Sequence, residues 1–324
     1  VEETGAKRAN LSRWLQRLIG PAVLAYLLAV TDLRGLWALL VTVRPGLLAI
    51  GVLLTSLVIL FRAARWHLVN QACGIRLSLS KELHIYVASL ALGLVTPGRA
   101  GEFARVHYLS RLGHASSRAM AAAVVDRLGD LAWMVAAGYL GLSFYVWEDG
   151  WSRLWLPASV VLIIACLFLI LRRKTISSPQ ADNQERAGRL SKIKTWVIEI
   201  WSTMANLRIS LIALLLLLTA AAWLVQYLQG MVFCRALGLG LSFWDLAVFI
   251  SVAALMSVLP VSVAGIGTRD LALVYLFGKV GQAPAAAIAF SGLLLFNFVV
   301  TAACCALALL AKVDKDSQES AEHA

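Results

Sequence analysis

The chain has 324 residues, of which 60% are hydrophobic, with a mean hydropathy of +0.79 and a net charge of +11. Soluble domains average about 45–50% apolar residues, so this composition excludes an ordinary water-soluble globule. The basic excess does not point to a nucleic-acid partner, because the lysines and arginines flank apolar runs as membrane topology signals do.

Several apolar runs approach the roughly 20 residues that cross a bilayer as a helix. They are too long and continuous for barrel strands, so an all-α polytopic membrane protein is expected. The first span is placed at 17–30. Lys7, Arg8, Arg13 and Arg17 lead into it without an obvious cleavage site, so no removable signal peptide is expected. A second span follows at 46–60; both are short and need tilt or interfacial ends. Segment 85–111 is then interrupted by "LVTPGRAGEF" (94–103), which sets a proline, two glycines, an arginine and a glutamate inside an apolar region. Full spans are next placed at 119–145 and 155–171.

The stretch 172–208 divides in two. "SSPQADNQE" (177–185) is polar and reads as disordered. Beyond it, Leu190, Ile193, Val197, Ile200, Met204 and Leu207 recur at helical spacing, beside Arg189, Lys192, Lys194, Trp196 and Trp201. This predicts an amphipathic helix on an anionic lipid surface, with a solvated linker helix as the alternative. Spans at 209–231 and 284–311 enclose a second interrupted segment, 244–278.

Six full crossings with both termini in the cytoplasm, and two broken or re-entrant Pro/Gly segments, place 21 basic residues inside and five outside. That asymmetry obeys the positive-inside rule. The inner set includes Arg62, Arg65 and Arg105. Asn183, in the loop, should then be cytoplasmic and Asp149 external.

"GIRLSLSKELHIYVASLALGLVTPGRAGEF" (74–103) resembles "GLGLSFWDLAVFISVAALMSVLPVSVAGIGTRDL" (238–271). Gly74, Leu77 and Ser78 align with Gly238, Leu241 and Ser242; Pro97 aligns with Pro260 and Glu102 with Asp270. Repeat one is read as 46–147 and repeat two as 209–311. An odd crossing between them would invert the second copy. Inverted repeats with helix breaks at matched positions point to a transport site near the bilayer midplane.

The intramembrane charges are Arg99, Glu102, Asp126, Arg127, Asp130, Arg269 and Asp270. Each costs about 2.5–3.5 kcal/mol at a helix centre on insertion scales, so they must pair or face water. Arg99 and Glu102 are spaced for a local pair. Asp126 and Asp130 share a helix face, with Arg127 three residues before Asp130. Arg269 and Asp270, being adjacent, should point apart. Gly98, Gly101, Gly265 and Gly267 permit positive φ and close backbone approach, and Pro97 and Pro260 break the helices. Thr96 and Thr268 are candidate caps for helices starting at Pro97 and Arg269. A Gly-rich turn, a helix start and an arginine, present twice, suggest two phosphate-reading half-sites; structural ion pairing between the repeats is the competing reading. The five cysteines show no C-x-x-C and the five histidines no metal spacing, so no metal or cofactor is expected.

"TPGRAGE" (96–102), "VVDRLGDL" (124–131) and "LPVSVAGIGTRD" (259–270) resemble the lysylphosphatidylglycerol synthase transmembrane-region family, over roughly residues 10–312. The resemblance implies a flippase-like protein of the bacterial plasma (inner) membrane that moves lipid between leaflets. Asp126 and Asp270 stand where the family often has glutamate. The chain ends at "KVDKDSQESAEHA", so a stand-alone member without the synthase domain, and hence without aminoacyl transfer, is expected.

A non-enzymatic translocase of a phosphate-bearing lipid is therefore the first expectation. Arg99, Arg127 and Arg269 would bind phosphate in succession, with Glu102, Asp126, Asp130 and Asp270 pairing with them or carrying a proton. The alternatives are an intramembrane transferase acting on a lipid carrier and a non-transporting partner of a lipid-synthesis enzyme. The lipid's identity, energy coupling and oligomeric state stay open.

Overall fold

The computed structural model describes residues 22–146, 189–258 and 265–322. It is all-α, with no strand among the described residues. The expected crossing at 155–171, the polar stretch 177–185, Pro260 and the two labelling positions Asp149 and Asn183 lie outside the described residues.

Helices α1 (Ala22–Val30) and α2 (Leu33–Val41) meet at a 94° bend. Asp32 makes the bend, its carboxylate accepting the Arg34 N–H at 3.0 Å to start α2. Helix α3 (Pro45–Ala72) opens with proline at its first position, where the missing N–H is no loss. Its 28 residues correspond to about 42 Å, well beyond the expected span 46–60. The helix continues because nothing stops it: after Leu60 no proline or capping glycine occurs until Gly74.

Helix α4 (Leu79–Val95) leads into a 3-10 turn (Pro97–Phe103), then α5 (Ala104–Arg111) and the 31-residue α6 (Ser116–Val146). Helix α7 (Arg189–Asn206) coincides with the predicted amphipathic helix and packs on α6. Ile200 of α7 rests on the apolar cluster of Trp66 and Tyr86. Helices α8 (Ile209–Ala236), α9 (Phe243–Val258), α10 (Thr268–Lys279) and α11 (Pro284–Glu322) complete the bundle.

Among the described residues, three helices, Pro45–Ala72, Ile209–Ala236 and Pro284–Leu307, are long and apolar enough to cross a membrane, and the bent α1–α2 pair makes a fourth if it is one span. Ile209, Leu214, Leu216, Leu217, Leu224 and Leu228 of α8 point outward, a surface that hydrocarbon tolerates and water does not. The chain is a multi-pass, all-α membrane protein.

The two halves run through the same succession of elements. Helices α3 and α8 each have 28 residues. Each ends at a glycine in the left-handed region, Gly74 (φ 73°) and Gly238 (φ 72°). In both, the next residue's N–H reaches back five residues at 2.9 Å, Ile75 to Asn70 and Leu239 to Cys234, the pattern of a Schellman cap. Then come α4 with 17 residues and α9 with 16, a Gly-rich turn, and the shorter α5 and α10. These last two end at Gly113 (φ 85°) and Gly281 (φ 73°).

Helices α3 and α8 pack antiparallel. Gly51 faces Phe233, Thr55 meets Gln229, and Arg65 reaches Thr219. The approach is close enough that Gln229 donates to the Gly51 carbonyl at 2.6 Å. Two apolar cores flank this pair. One is built around Trp223, Phe249, Phe277 and Phe290, the other around Trp66, Ile75, Tyr86 and Leu109.

Candidate functional site

Buried charge is concentrated where α3, α5 and α6 meet. Arg65 of α3 donates through Nε to Asp126 at 2.9 Å and through Nη2 to Asp130 at 2.7 Å. Its Nη1 reaches Asp130 at 3.1 Å and Thr219 of α8 at 2.9 Å. One turn of α6 separates the two aspartates, so a single guanidinium spans both. Arg105 of α5 holds the other oxygen of Asp126 at 2.8 Å and Glu102 at 3.4 Å. Arg127 closes the chain by pairing with Glu102. The two cores clamp these groups: Arg105 lies over Trp66 and Tyr86, at 5.3 and 5.1 Å from the ring centroids. Trp223 donates its indole N–H to Asp130 at 3.3 Å.

The Pro97–Phe103 turn carries the exposed edge of this network. The sequence predicts an α-helix starting at Pro97; the structure has a tight turn with Gly98 at φ 60° and Arg99 at φ 56°. Arg99 is the one non-glycine residue with positive φ among the described residues. Such a conformation costs about 1–3 kcal/mol and persists only when its surroundings enforce it. Thr96 does so, its hydroxyl accepting the Gly101 N–H at 2.7 Å. Gly101 does so as well, because a Cβ there would lie 2.3 Å from the Leu92 carbonyl oxygen. Gly101→Ala is accordingly expected to unseat the turn and lower thermal stability by several degrees, on the scale of about 1–3 kcal/mol for overpacking. A melting curve of the purified variant matching the wild type would contradict this.

The second Gly-rich turn is built differently. Its helix α10 starts from Gly267 (φ 85°) rather than from a Thr268 cap. Asp270 accepts the Gly267 N–H at 2.8 Å, so a carboxylate of the chain itself already occupies that helix start. Thr268 turns toward the carbonyl groups of Met256 and Gly265 instead. Arg269 and Asp270 do not point apart as their adjacency predicts. Arg269 folds back to 3.2 Å from Asp270, because Ser291 of α11 bridges the two, taking a 3.0 Å bond from Arg269 Nε and bonding to Asp270.

Arg99 and Arg269 meet at one cavity of about 140 Å³, and Arg62 of α3 is the third arginine on its wall. Arg62 donates to Gln226 at 2.8 Å and lies 5.6 Å from the Trp223 ring centroid. Gln226, Gln229, Asn297 and Thr55 supply neutral polar atoms, while Val58, Leu90, Ile250 and Leu294 are apolar wall. Asn297 of α11 accepts from Thr55 at 2.8 Å. The wall therefore draws on both halves of the chain.

Three expectations are revised by the packing. Arg127 binds Glu102 rather than Asp130 and does not line the cavity. The Arg99–Glu102 contact exists but is loose, at 3.9 Å. Arg62, Arg65 and Arg105, counted as loop charges in the sidedness argument, belong to the network instead; the asymmetry of the remaining charges has the same sign. Arg62 and Arg65 were legible in principle, being three residues apart on a helix with no stop signal before Gly74.

The lysylphosphatidylglycerol synthase TM region family model matches residues 17–310. No curated protein matches the chain.

Proposed function

Because the chain belongs to the lysylphosphatidylglycerol synthase TM region family, whose members are membrane proteins of lipid-related function, we propose that it is a translocase. In this reading it is not an enzyme, and it moves a phosphate-bearing lipid between the leaflets of a bacterial inner membrane. The observation that carries the reading is the cavity on which Arg62 of α3, Arg99 of the 97–103 turn and Arg269 of α10 converge. Guanidinium groups in a partly dry site suit phosphate oxygens, and the mixed polar and apolar wall suits a headgroup whose acyl chains stay in lipid.

Asp270 balances Arg269 when no phosphate is present, and gives way to phosphate when it arrives. Such exchange avoids leaving a guanidinium unpaired at membrane depth. The test is fluorescence dequenching or quenching of tail-labelled phospholipid in proteoliposomes. Faster loss of leaflet asymmetry than in protein-free vesicles, with the lipid recovered chemically unchanged, is expected. Recovery of an altered lipid would instead establish a transferase, and neither change would leave a non-transporting partner.

The same reading takes six crossings, cytoplasmic termini and an inverted repeat. The antiparallel packing of α3 on α8, with matched caps at Gly74 and Gly238, supports the inversion. Leu112, just before Gly113 at the end of α5, and Ala283, just after Gly281 at the end of α10, are both exposed. In a cysteine-free background, Ala283→Cys should react with an impermeant thiol reagent in intact cells and Leu112→Cys should not. Equal labelling at the two positions would remove the inversion.

A further inference from the structure

The charges of the network do not balance. Arg65, Arg105 and Arg127 are matched by Asp126, Asp130 and Glu102 through the close contacts described above. Arg269 is matched by Asp270. Two guanidinium groups remain, and they are Arg62 and Arg99. Their nearest carboxylate contacts are 3.8 Å to Asp130 and 3.9 Å to Glu102, both beyond hydrogen-bonding distance; that Asp130 oxygen already accepts from Arg65, and Glu102 meets Arg105 and Arg127 through its other oxygen. Arg62 Nε is buried without a hydrogen-bond partner. Both residues lie on the wall of the same cavity.

We propose that this cavity selects a phosphate group with two negative charges, a phosphate monoester, over the singly charged phosphodiester of common phospholipids. The inference deepens the translocase reading and rests on it for the site's purpose. Its grounds are three. The surplus is two positive charges, and both sit at one cavity. Each surplus guanidinium still has donor capacity, since Arg62 spends one nitrogen on Gln226 and Arg99 makes only the 3.9 Å contact among the described residues. The cavity, of about 140 Å³, has room for a phosphate group, since roughly 150 Å³ holds one benzene. A monoester is a dianion near pH 7 and offers three terminal oxygens; a diester offers one charge and two such oxygens. Only the monoester brings the site to neutrality, in a medium where screening is weak.

The experiment measures equilibrium binding to the purified full-length chain in neutral detergent, apart from transport. The probes are dioctanoyl phosphatidic acid as lipid monoester, dioctanoyl phosphatidylglycerol as lipid diester, and glycerol phosphate as soluble monoester. Phosphatidic acid should bind about tenfold or more tightly than phosphatidylglycerol, the scale of one additional charge-assisted hydrogen bond. Arg62→Gln or Arg99→Gln should weaken monoester binding about tenfold more than diester binding, so the preference collapses. Arg62→Lys, which keeps the charge, should retain the preference and serves if the glutamine variant does not fold. Glycerol phosphate matching phosphatidic acid would uphold the dianion site and identify a soluble ligand as its source. Equal affinity for the two lipids, or a preference that survives in Arg62→Gln/Arg99→Gln, overturns the proposal. Because the vesicle assay is separate, lipid movement without monoester preference removes this inference alone, while preference without movement removes the translocase reading alone.

Discussion

Arg65→Gln should leave a protein that inserts poorly and, once purified, melts on the order of 10 °C below the wild type. The side chain is 3% exposed and bridges two aspartates that are 0% and 5% exposed. Removing one partner of a buried ion pair costs about 3–5 kcal/mol, because the charge left behind keeps its desolvation penalty. That is a large part of a typical stability of about 5–15 kcal/mol. Asp126 would keep Arg105, whereas Asp130 would keep only the Trp223 indole and the distant Arg62, so the strain falls mainly on Asp130. Arg65→Gln/Asp130→Asn should therefore recover a substantial part of the loss. Arg65 does not line the cavity, so folded Arg65→Gln molecules should still bind phosphate. Differential scanning fluorimetry of the single and double variants checks this. An unchanged midpoint for Arg65→Gln would mean that the network adds nothing to stability.

Arg99→Gly should show the opposite signature, with lipid movement falling by roughly one to two orders of magnitude while the melting midpoint stays within a few degrees of wild type. Losing charge-assisted hydrogen bonds worth about 1.5–3 kcal/mol accounts for the rate. Stability is spared because two backbone effects oppose each other. Glycine relieves the left-handed strain at φ 56°, worth about 1–3 kcal/mol, but adds unfolded-state entropy worth about 0.4–1 kcal/mol. The guanidinium itself contributes little, being 29% exposed with one loose carboxylate contact. Arg99→Gln removes the charge and keeps the strain, so it should lose transport equally and gain nothing in stability. Proteoliposome rates per reconstituted molecule, with melting curves of the same preparations, give both readouts. Normal transport by both variants would remove Arg99 from the site. A collapse in stability shared by both variants would make Arg99 a structural residue.

The sequence singles out Arg99 as a ligand candidate on a Gly-rich turn, but nothing in it shows that Arg65 holds the helices together. Arg65 lies in "FRAARWH" and reads as a basic flank of a short span; in the folded chain it is internal because Asp126 and Asp130, 61 and 65 residues away, accept its donors. Arg105 moved from flank to interior for the same reason. Arg127 and Arg269 read as intramembrane charges in the sequence, but spacing alone sets Arg127 near Asp130 and Arg269 apart from Asp270, whereas the fold pairs them with Glu102 and Asp270. Sequence spacing within a helix restricts which side chains can meet, but the position of Glu102 beside Arg127 and of Ser291 beside Asp270 depends on how separate helices pack.

By itself, the sequence determined what depends on local chemistry. Apolar length specified membrane helices, and "TPGRAGE" and "GIGTRD" marked the irregular turns, because positive φ and helix breaking are properties of the residues themselves. The family resemblance rested on those same motifs and agrees with the match over residues 17–310. Only the tertiary structure decided which charges cancel. Coulombic energy at membrane depth depends steeply on distance and surroundings, and the packing of α3, the 97–103 turn and α10 around one cavity, not chain order, brings Arg62, Arg99 and Arg269 together while Arg65, Arg105 and Arg127 are matched by carboxylates.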